Sequence, residues 1–266
     1  MGIEIDVLHI FMLMGVGVCA GFINAIAFGG SMLTVPILGF MIEGGGIPNL
    51  PVDLKWAVAN GTNRVAILCQ NLSAILGFRR KGVSNFRHAI NLTIPAVAGA
   101  SMGAYIATLT SNEVFKPVLA IVMVTMLLLT FFNPTEWLHQ KINPSGTQYK
   151  IITTIALFFI GIYGGFIQIG TGLLIIATLQ ILGDDDLVLT NAHKVFIIFF
   201  YTIIALGIFV SKGQVNWVLG LTLAAGNATG AWIGSHLAVK MGDKWIKVVL
   251  VVAVIASVTK LLWDTL

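Results

Sequence analysis

Arg64 is the residue best placed to do chemistry in this sequence of 266 residues. It lies inside the apolar run Trp56–Phe78, with Asn60, Gly61, Thr62 and Asn63 before it and apolar residues after it. A charge at membrane depth costs at least about 2.5–3.5 kcal/mol on insertion scales, so it faces a cavity or a partner. Asn60, Asn63, Arg64 and Asn71 fall near one helical face, at spacings of three, four and seven. A polar stripe with one fixed positive charge suits an anion. The competing reading is structural: Arg64 pairs with an acid or caps backbone carbonyls. No acid lies in its own block beyond Asp53.

Two glycine-rich interruptions offer a second kind of anion chemistry. The first runs Gly21–Pro36 and holds Asn24, Gly29, Gly30 and Ser31; the second runs Gly165–Leu174 and holds Gln168, Gly170, Thr171 and Gly172. A helix broken in hydrocarbon leaves N–H and carbonyl groups without partners, at several kcal/mol each. Bare helix N-termini bind oxyanions through free N–H groups and the positive end of the helix dipole. Glycine permits the turn and the close approach. Glycines in membranes also serve tight helix packing. That plainer role fits the small-xxx-small pairs Gly99/Gly103 and Gly226/Gly230. It fits the two breaks less well, because amides and hydroxyls accompany their glycines.

Asn191, His193 and Lys194 occupy the region of the second half that matches Arg64. Lys194 either faces the solute or snorkels to the interface. His193 beside a transport path could relay protons, since its unperturbed pKa is about 6.5. The run Asp184-Asp185-Asp186 reads as a loop with an N-cap for the next helix. The sequence has no paired-histidine zinc motif, no Walker loop and no Gly-x-Ser-x-Gly. His9, His88, His139 and His236 are scattered, so no catalytic constellation, cofactor or metal is expected.

These residues need helices to carry them, and the composition supplies the setting. The chain is 57% hydrophobic and 10% charged, with a mean hydropathy of +0.94. Soluble domains run nearer 25% charged. The apolar runs are continuous, as in Val114–Phe132 and Val248–Val258, unlike the short alternating segments of a β-barrel. The expectation is an all-α polytopic membrane protein. No cleavable signal is evident, since Glu4 and Asp6 stand where a signal peptide would be positive. The net charge of +4 sits mostly in short loops beside apolar spans. There it sets orientation or favours an anionic solute, and it does not point to nucleic acid. Cys19 and Cys69 lie within apolar runs and read as small packing residues.

The polar stretch Asn133–Lys150 divides the chain into a first repeat (1–132) and a second (151–266), with 133–150 as linker. Lys81-Gly82-Val83-Ser84-Asn85 matches Lys212-Gly213-Gln214-Val215-Asn216, Gly99–Ala104 matches Gly226–Ala231, and Arg64-Val65 matches Lys194-Val195. The order of matches is the same in both halves, which indicates duplication. The first half has apolar blocks at Ile5–Ile42, Val52–Phe78, Arg87–Leu109 and Asn112–Phe132; the second has them at Ile151–Gly183, Val188–Val210, Val215–Val239 and Trp245–Trp263. A span needs about 20 residues. The first block of each half is too long for one span and reads as a helix broken at its glycines, giving eight spans plus half-helices, up to ten. If each first block crosses once, the repeats are parallel; if it crosses out and back, they are inverted. Arg79, Arg80, Lys81 and Arg87 place the loop after the second block in the cytoplasm, while the matching second-half loop has only Lys212. The swing reverses one loop later: Lys116 in the first half stands against Lys240, Lys244 and Lys247 in the second. That reversal favours inverted repeats.

At the breaks and at Gly61-Thr62-Asn63-Arg64, the chain resembles the sulfite exporter TauE/SafE family, also called the toluene-sulfonate uptake permease family. The resemblance covers essentially the whole chain. It rests on Ala20–Pro36, Tyr163–Thr178, Ser211–Trp217 and Leu221–Ala231, with Phe28 and Ser31 where the family often has glycine, and Thr171 inside the second cluster. It implies a permease of the bacterial inner membrane for small sulfur-containing anions: sulfite, sulfoacetate or other sulfonates. The expected partners are a small anionic solute and the bilayer. The expected mechanism is alternating access around a mid-membrane site. The alternatives are an anion channel, a carrier of short carboxylates, an intramembrane enzyme and a structural membrane subunit.

Overall fold

Continuous apolar sequence leaves the backbone one way to pair its own polar groups in hydrocarbon, which is the helix. In a computed structural model that describes residues 7–26, 30–46, 52–80, 87–132, 146–182, 187–237, 251–252, 255–261 and 263, the chain is helical, with no strand among those residues. The helices are α1 (Val7–Ile26), α2 (Ser31–Met41), α3 (Lys55–Arg80), α4 (Arg87–Leu109), α5 (Asn112–Phe132), α6 (Thr147–Phe166), α7 (Thr171–Leu182), α8 (Leu187–Ser211) and α9 (Trp217–Leu237). A π turn, Ile42–Gly46, continues α2, and a 3-10 turn, Val52–Leu54, precedes α3. Residues 255–261 are helical too.

The long first block of the second half is broken at its glycine cluster, into α6 and α7; in the first half α1 and α2 flank residues 27–29, which lie outside the described residues. Four described helices are long and apolar enough to cross a membrane: the bodies of α4, α5, α6 and α8. With 26 residues, α3 has the length, but it carries Asn60, Asn63, Arg64, Gln70 and Asn71 and is not among the four. Of the expected linker, residues 133–145 lie outside the described residues, and Thr147–Lys150 form the first turn of α6. Gly29, Lys81–Asn85, Asp184–Asp186, Lys240, Lys244 and Lys247 also lie outside them.

The packing exchanges elements between the halves. The most extensive contacts are α1 on α9 and α4 on α6, followed by α4 on α8, α3 on α9 and α3 on α8. Small residues make the first two possible. A Cβ on Gly21 would stand 2.1 Å from the Asn227 carbonyl, and one on Gly230 would stand 1.9 Å from that of Val18. In the other pair, a Cβ on Gly103 would stand 1.9 Å from the Ile162 carbonyl, and one on Gly165 would stand 2.2 Å from that of Ala100. The backbones approach this closely because no side chain intervenes.

Between these pairs lie α3 and α8, running antiparallel. Ile67 packs with Ile198 at one level. At another, the Arg64 guanidinium lies over the Phe209 ring at 4.9 Å, and Thr62 Oγ1 accepts the Asn216 N–H at 2.9 Å. The stretch Trp56–Ile67 is buried without interruption. Helix α8 stops in a Schellman motif: Gly213 takes φ 68°, the Gln214 N–H bonds the Phe209 carbonyl and the Gly213 N–H bonds that of Val210. Asn216 then caps α9 by accepting the Leu219 N–H at 3.0 Å.

Candidate solute-binding site

The last turn of α6 has carbonyls with no intrahelical partner, as every helix end does. Side chains of α3 supply the donors. Arg64 Nη1 and Nη2 each lie 3.3 Å from the Gly164 carbonyl, and Nη2 also donates to that of Gly165. Asn60 Nδ2 donates to the Phe166 carbonyl at 2.6 Å. The positive guanidinium thus sits at the negative end of the α6 dipole, where a cation is favoured. This is how a fully buried arginine is held with no carboxylate against it among the described residues.

Arg64 also fixes the next residue of consequence. Its Nη1 donates to Gln168 Oε1 at 3.1 Å. Gln168 Nε2 is therefore the donor end, and it reaches Thr202 Oγ1 at 3.2 Å. Gln168 takes φ 66°, a left-handed conformation that costs a non-glycine residue about 1–3 kcal/mol. The chain turns again at Gly170, φ 70°, where glycine is required. Tyr163 pins the turn by donating its hydroxyl to the Ile169 carbonyl.

At the first break, Asn24 near the end of α1 accepts the Gly30 N–H on Oδ1 at 2.7 Å. Its Nδ2 donates to Gln70 Oε1 on α3 at 3.2 Å. Asn227 Nδ2 on α9 approaches the same oxygen at 3.5 Å.

A cavity of about 680 Å3 joins the two breaks. Asn24 and Ser31 line it from the first break, and Gln168, Gly170, Thr171 and Gly172 from the second. On α3 it is bounded by Ile67, Gln70, Asn71 and onward to Phe78, beside the exposed Arg79 and Arg80. On α8 it is bounded by Asn191, Lys194, Val195, Ile198 and Tyr201, and Trp232 of α9 completes it. Among the described lining residues, Lys194 is the cation and none is an acid. Its Nζ donates to Asn191 Oδ1 at 2.8 Å. Its stem crosses the first turn of α7, where a Cβ on Gly172 would stand 3.2 Å from Lys194 Cδ.

The other candidates stand behind the wall. Asn60 and Arg64 hold the α6 end. Gly30 turns its N–H to Asn24. Asn63 is fully buried, and both its amide atoms lack a hydrogen-bond partner among the described residues. His193 is buried with its ring 5.5 Å from that of His88. Sequence reasoning missed Gln70, Tyr201 and Trp232 as wall residues. A signal for two of them was present. Gln70 follows Asn63 by seven residues, and Tyr201 follows Lys194 by seven, as Asn71 follows Arg64.

The family model described as sulfite exporter TauE/SafE matches residues 13–261. The chain belongs to the sulfite exporter TauE/SafE family. Among curated relatives, it is 32% identical over 248 residues to a "probable membrane transporter protein ORF9" of Sinorhizobium sp, covering 92% of this chain and 89% of that one. It is 29% identical to a "probable membrane transporter protein" of Haemophilus influenzae, over 99% of this chain and 98% of the other. It is 27% identical to YfcA of Escherichia coli, a "probable membrane transporter protein", over 96% and 90%. No solved structure matches the chain at a significant level. This TauE/SafE protein is accordingly a multi-pass membrane transporter of the bacterial cell membrane, and not an enzyme.

Proposed function

We propose that this TauE/SafE transporter moves a small sulfur-containing anion, sulfite, sulfoacetate or another sulfonate, by alternating access between two inverted repeats. One observation carries the reading: the cavity wall is built from residues flanking both helix breaks and bears Lys194 without an acid among its described residues. A positive side chain, amide and hydroxyl donors and the N-terminal end of α7 converge where a helix dipole favours negative charge. The family description, sulfite exporter, supplies the sulfur-containing class.

The solute-binding groups on this reading are Ser31, Gln168, Gly170, Thr171, Gly172 and Lys194, with Asn24 on the wall beside them. Arg64 and Asn60 hold the α6 end in place around them. Three features support inverted repeats. Helices α3 and α8 match in sequence and run antiparallel. The packing of α1 on α9 repeats as α6 on α4. Lys116, the cation that weakens the charge argument in the first half, is neutralised by Glu43 at 2.7 Å.

The opposite face supports a carrier over a channel. There Gly61 meets Phe209 and the Gln214 carbonyl, and Gln214 Nε2 donates to the Thr108 carbonyl at 2.9 Å. That plug must part before a solute can leave on its side. The test is a thermal-shift and uptake screen of purified protein against sulfite, sulfate, sulfonates and short carboxylates. Specific binding raises apparent stability by mass action. Sulfite or a sulfonate should raise the melting temperature and be taken up saturably by proteoliposomes. Stabilisation by carboxylates alone, or by no anion, would refute the assignment.

A further inference from the structure

We infer that Gln70 is a specificity-determining residue of this transporter, held by Asn24 so that it presents hydrogen-bond donors, and not an acceptor, to the solute. The inference rests on the anion reading above and adds to it a wall residue on α3, where Lys194 stands on α8.

Amide oxygen and nitrogen are set by their hydrogen-bond networks, and here a backbone group decides the network. The Gly30 N–H can only donate, so the Asn24 atom 2.7 Å from it must be Oδ1. The other end of Asn24 is then an NH2 group, so the Gln70 atom 3.2 Å from it must be Oε1. Asn227 meets the same oxygen through Nδ2 at 3.5 Å. That orientation leaves Asn227 Oδ1 buried with no hydrogen-bond partner among the described residues. Gln70 Oε1 thus holds two donors from two different helices. What remains of Gln70 is its Nε2, and Gln70 lines the cavity. One peptide N–H at the first break orients three amides on α1, α3 and α9.

The consequence is chemical. An NH2 group turned to the cavity donates to an oxyanion and has nothing to offer a cation. The first break therefore contributes to the site through a side chain on α3, while the second contributes through the start of α7, where the Thr171 hydroxyl is itself committed to the Gln168 carbonyl at 2.9 Å. Asn24 is a positioning residue in this scheme, because it acts through Gln70.

The experiment measures binding of sulfite and sulfoacetate to the purified full-length chain by isothermal titration calorimetry, with size-exclusion profiles confirming the fold of each variant. Gln70→Met keeps the size and removes the donor. Gln70→Glu puts an acceptor and a negative charge in its place. Loss of one hydrogen bond to a charged ligand weakens binding about tenfold or more. Gln70→Met should show about that loss, and Gln70→Glu a larger one. Asn24→Asp still accepts the Gly30 N–H but turns a second oxygen towards Gln70, which forces the Gln70 amide to rotate. It should weaken binding several-fold more in the parent chain than in the Gln70→Met background, where only the added negative charge acts. Undiminished affinity in both folded Gln70 variants would overturn the assignment while leaving the anion reading intact. An Asn24→Asp effect of the same size in both backgrounds would overturn the positioning role. A parent chain that binds neither anion would overturn the inference and the anion reading together.

Discussion

Arg64 Nη1 stands 3.1 Å from Gln168 Oε1, across 104 residues of chain. The contact joins the buried charge of the first half to the helix break of the second. It makes the arginine part of the frame that shapes the cavity, since the same guanidinium caps the Gly164 and Gly165 carbonyls.

Arg64→Ala should act first on stability. Each buried carbonyl left without a donor costs about 1–3 kcal/mol. The variant should melt well below the parent in detergent, and Arg64→Lys should fall between, because a single ammonium cannot reproduce the fork of donors. Thermal unfolding monitored by intrinsic fluorescence would show this. A melting temperature equal to the parent's would remove Arg64 from the frame.

Lys194→Gln should do the reverse. Its charge faces the cavity beside Asn191, so removing it should leave the fold intact and weaken anion binding. A charge-assisted hydrogen bond is worth about 1.5–3 kcal/mol, or about 10- to 100-fold in Kd. Titration of the folded variant with sulfite or sulfoacetate is the check.

The exchanged glycines should not tolerate side chains. Gly103→Ala and Gly230→Ala each place a methyl 1.9 Å from a carbonyl oxygen of the facing helix. Overpacking costs about 1–3 kcal/mol, and more where the obstacle is backbone. Gly207 has nothing within 4 Å of the position a Cβ would take. Gly207→Ala should be neutral or stabilising, by up to about 1 kcal/mol. Comparing melting temperatures of the three variants tests the packing directly.

Gly61→Ala should disturb the closed face selectively. Its methyl would lie 2.3 Å from the Gln214 carbonyl and 2.8 Å from the Phe209 ring. The expected outcome is greater labelling of a cysteine introduced at Thr62 by a membrane-impermeant maleimide, with the Thr62→Cys single variant as reference. Equal labelling would show that this contact does not keep the face shut.

Much of the fold was legible because hydrocarbon leaves so few options. The expected blocks Arg87–Leu109 and Asn112–Phe132 are α4 and α5 residue for residue. The breaks were readable because no apolar run of that length needs two glycine clusters with amides beside them. The polar face of α3 was readable from spacing alone, through Asn60, Asn63, Arg64 and Asn71.

What the sequence by itself determined is the class of the protein, the helices, the places where they break and the residue types gathered there. These follow from local composition, because a backbone in lipid must satisfy its own hydrogen bonds. Only the tertiary structure decided which of the two matching cations faces the cavity. Arg64 and Lys194 match in the repeat, yet one caps the α6 carbonyls and the other lines the wall. That division depends on which helix end lies across from each side chain, a tertiary relation that for Arg64 spans 100 positions or more and that no local pattern encodes.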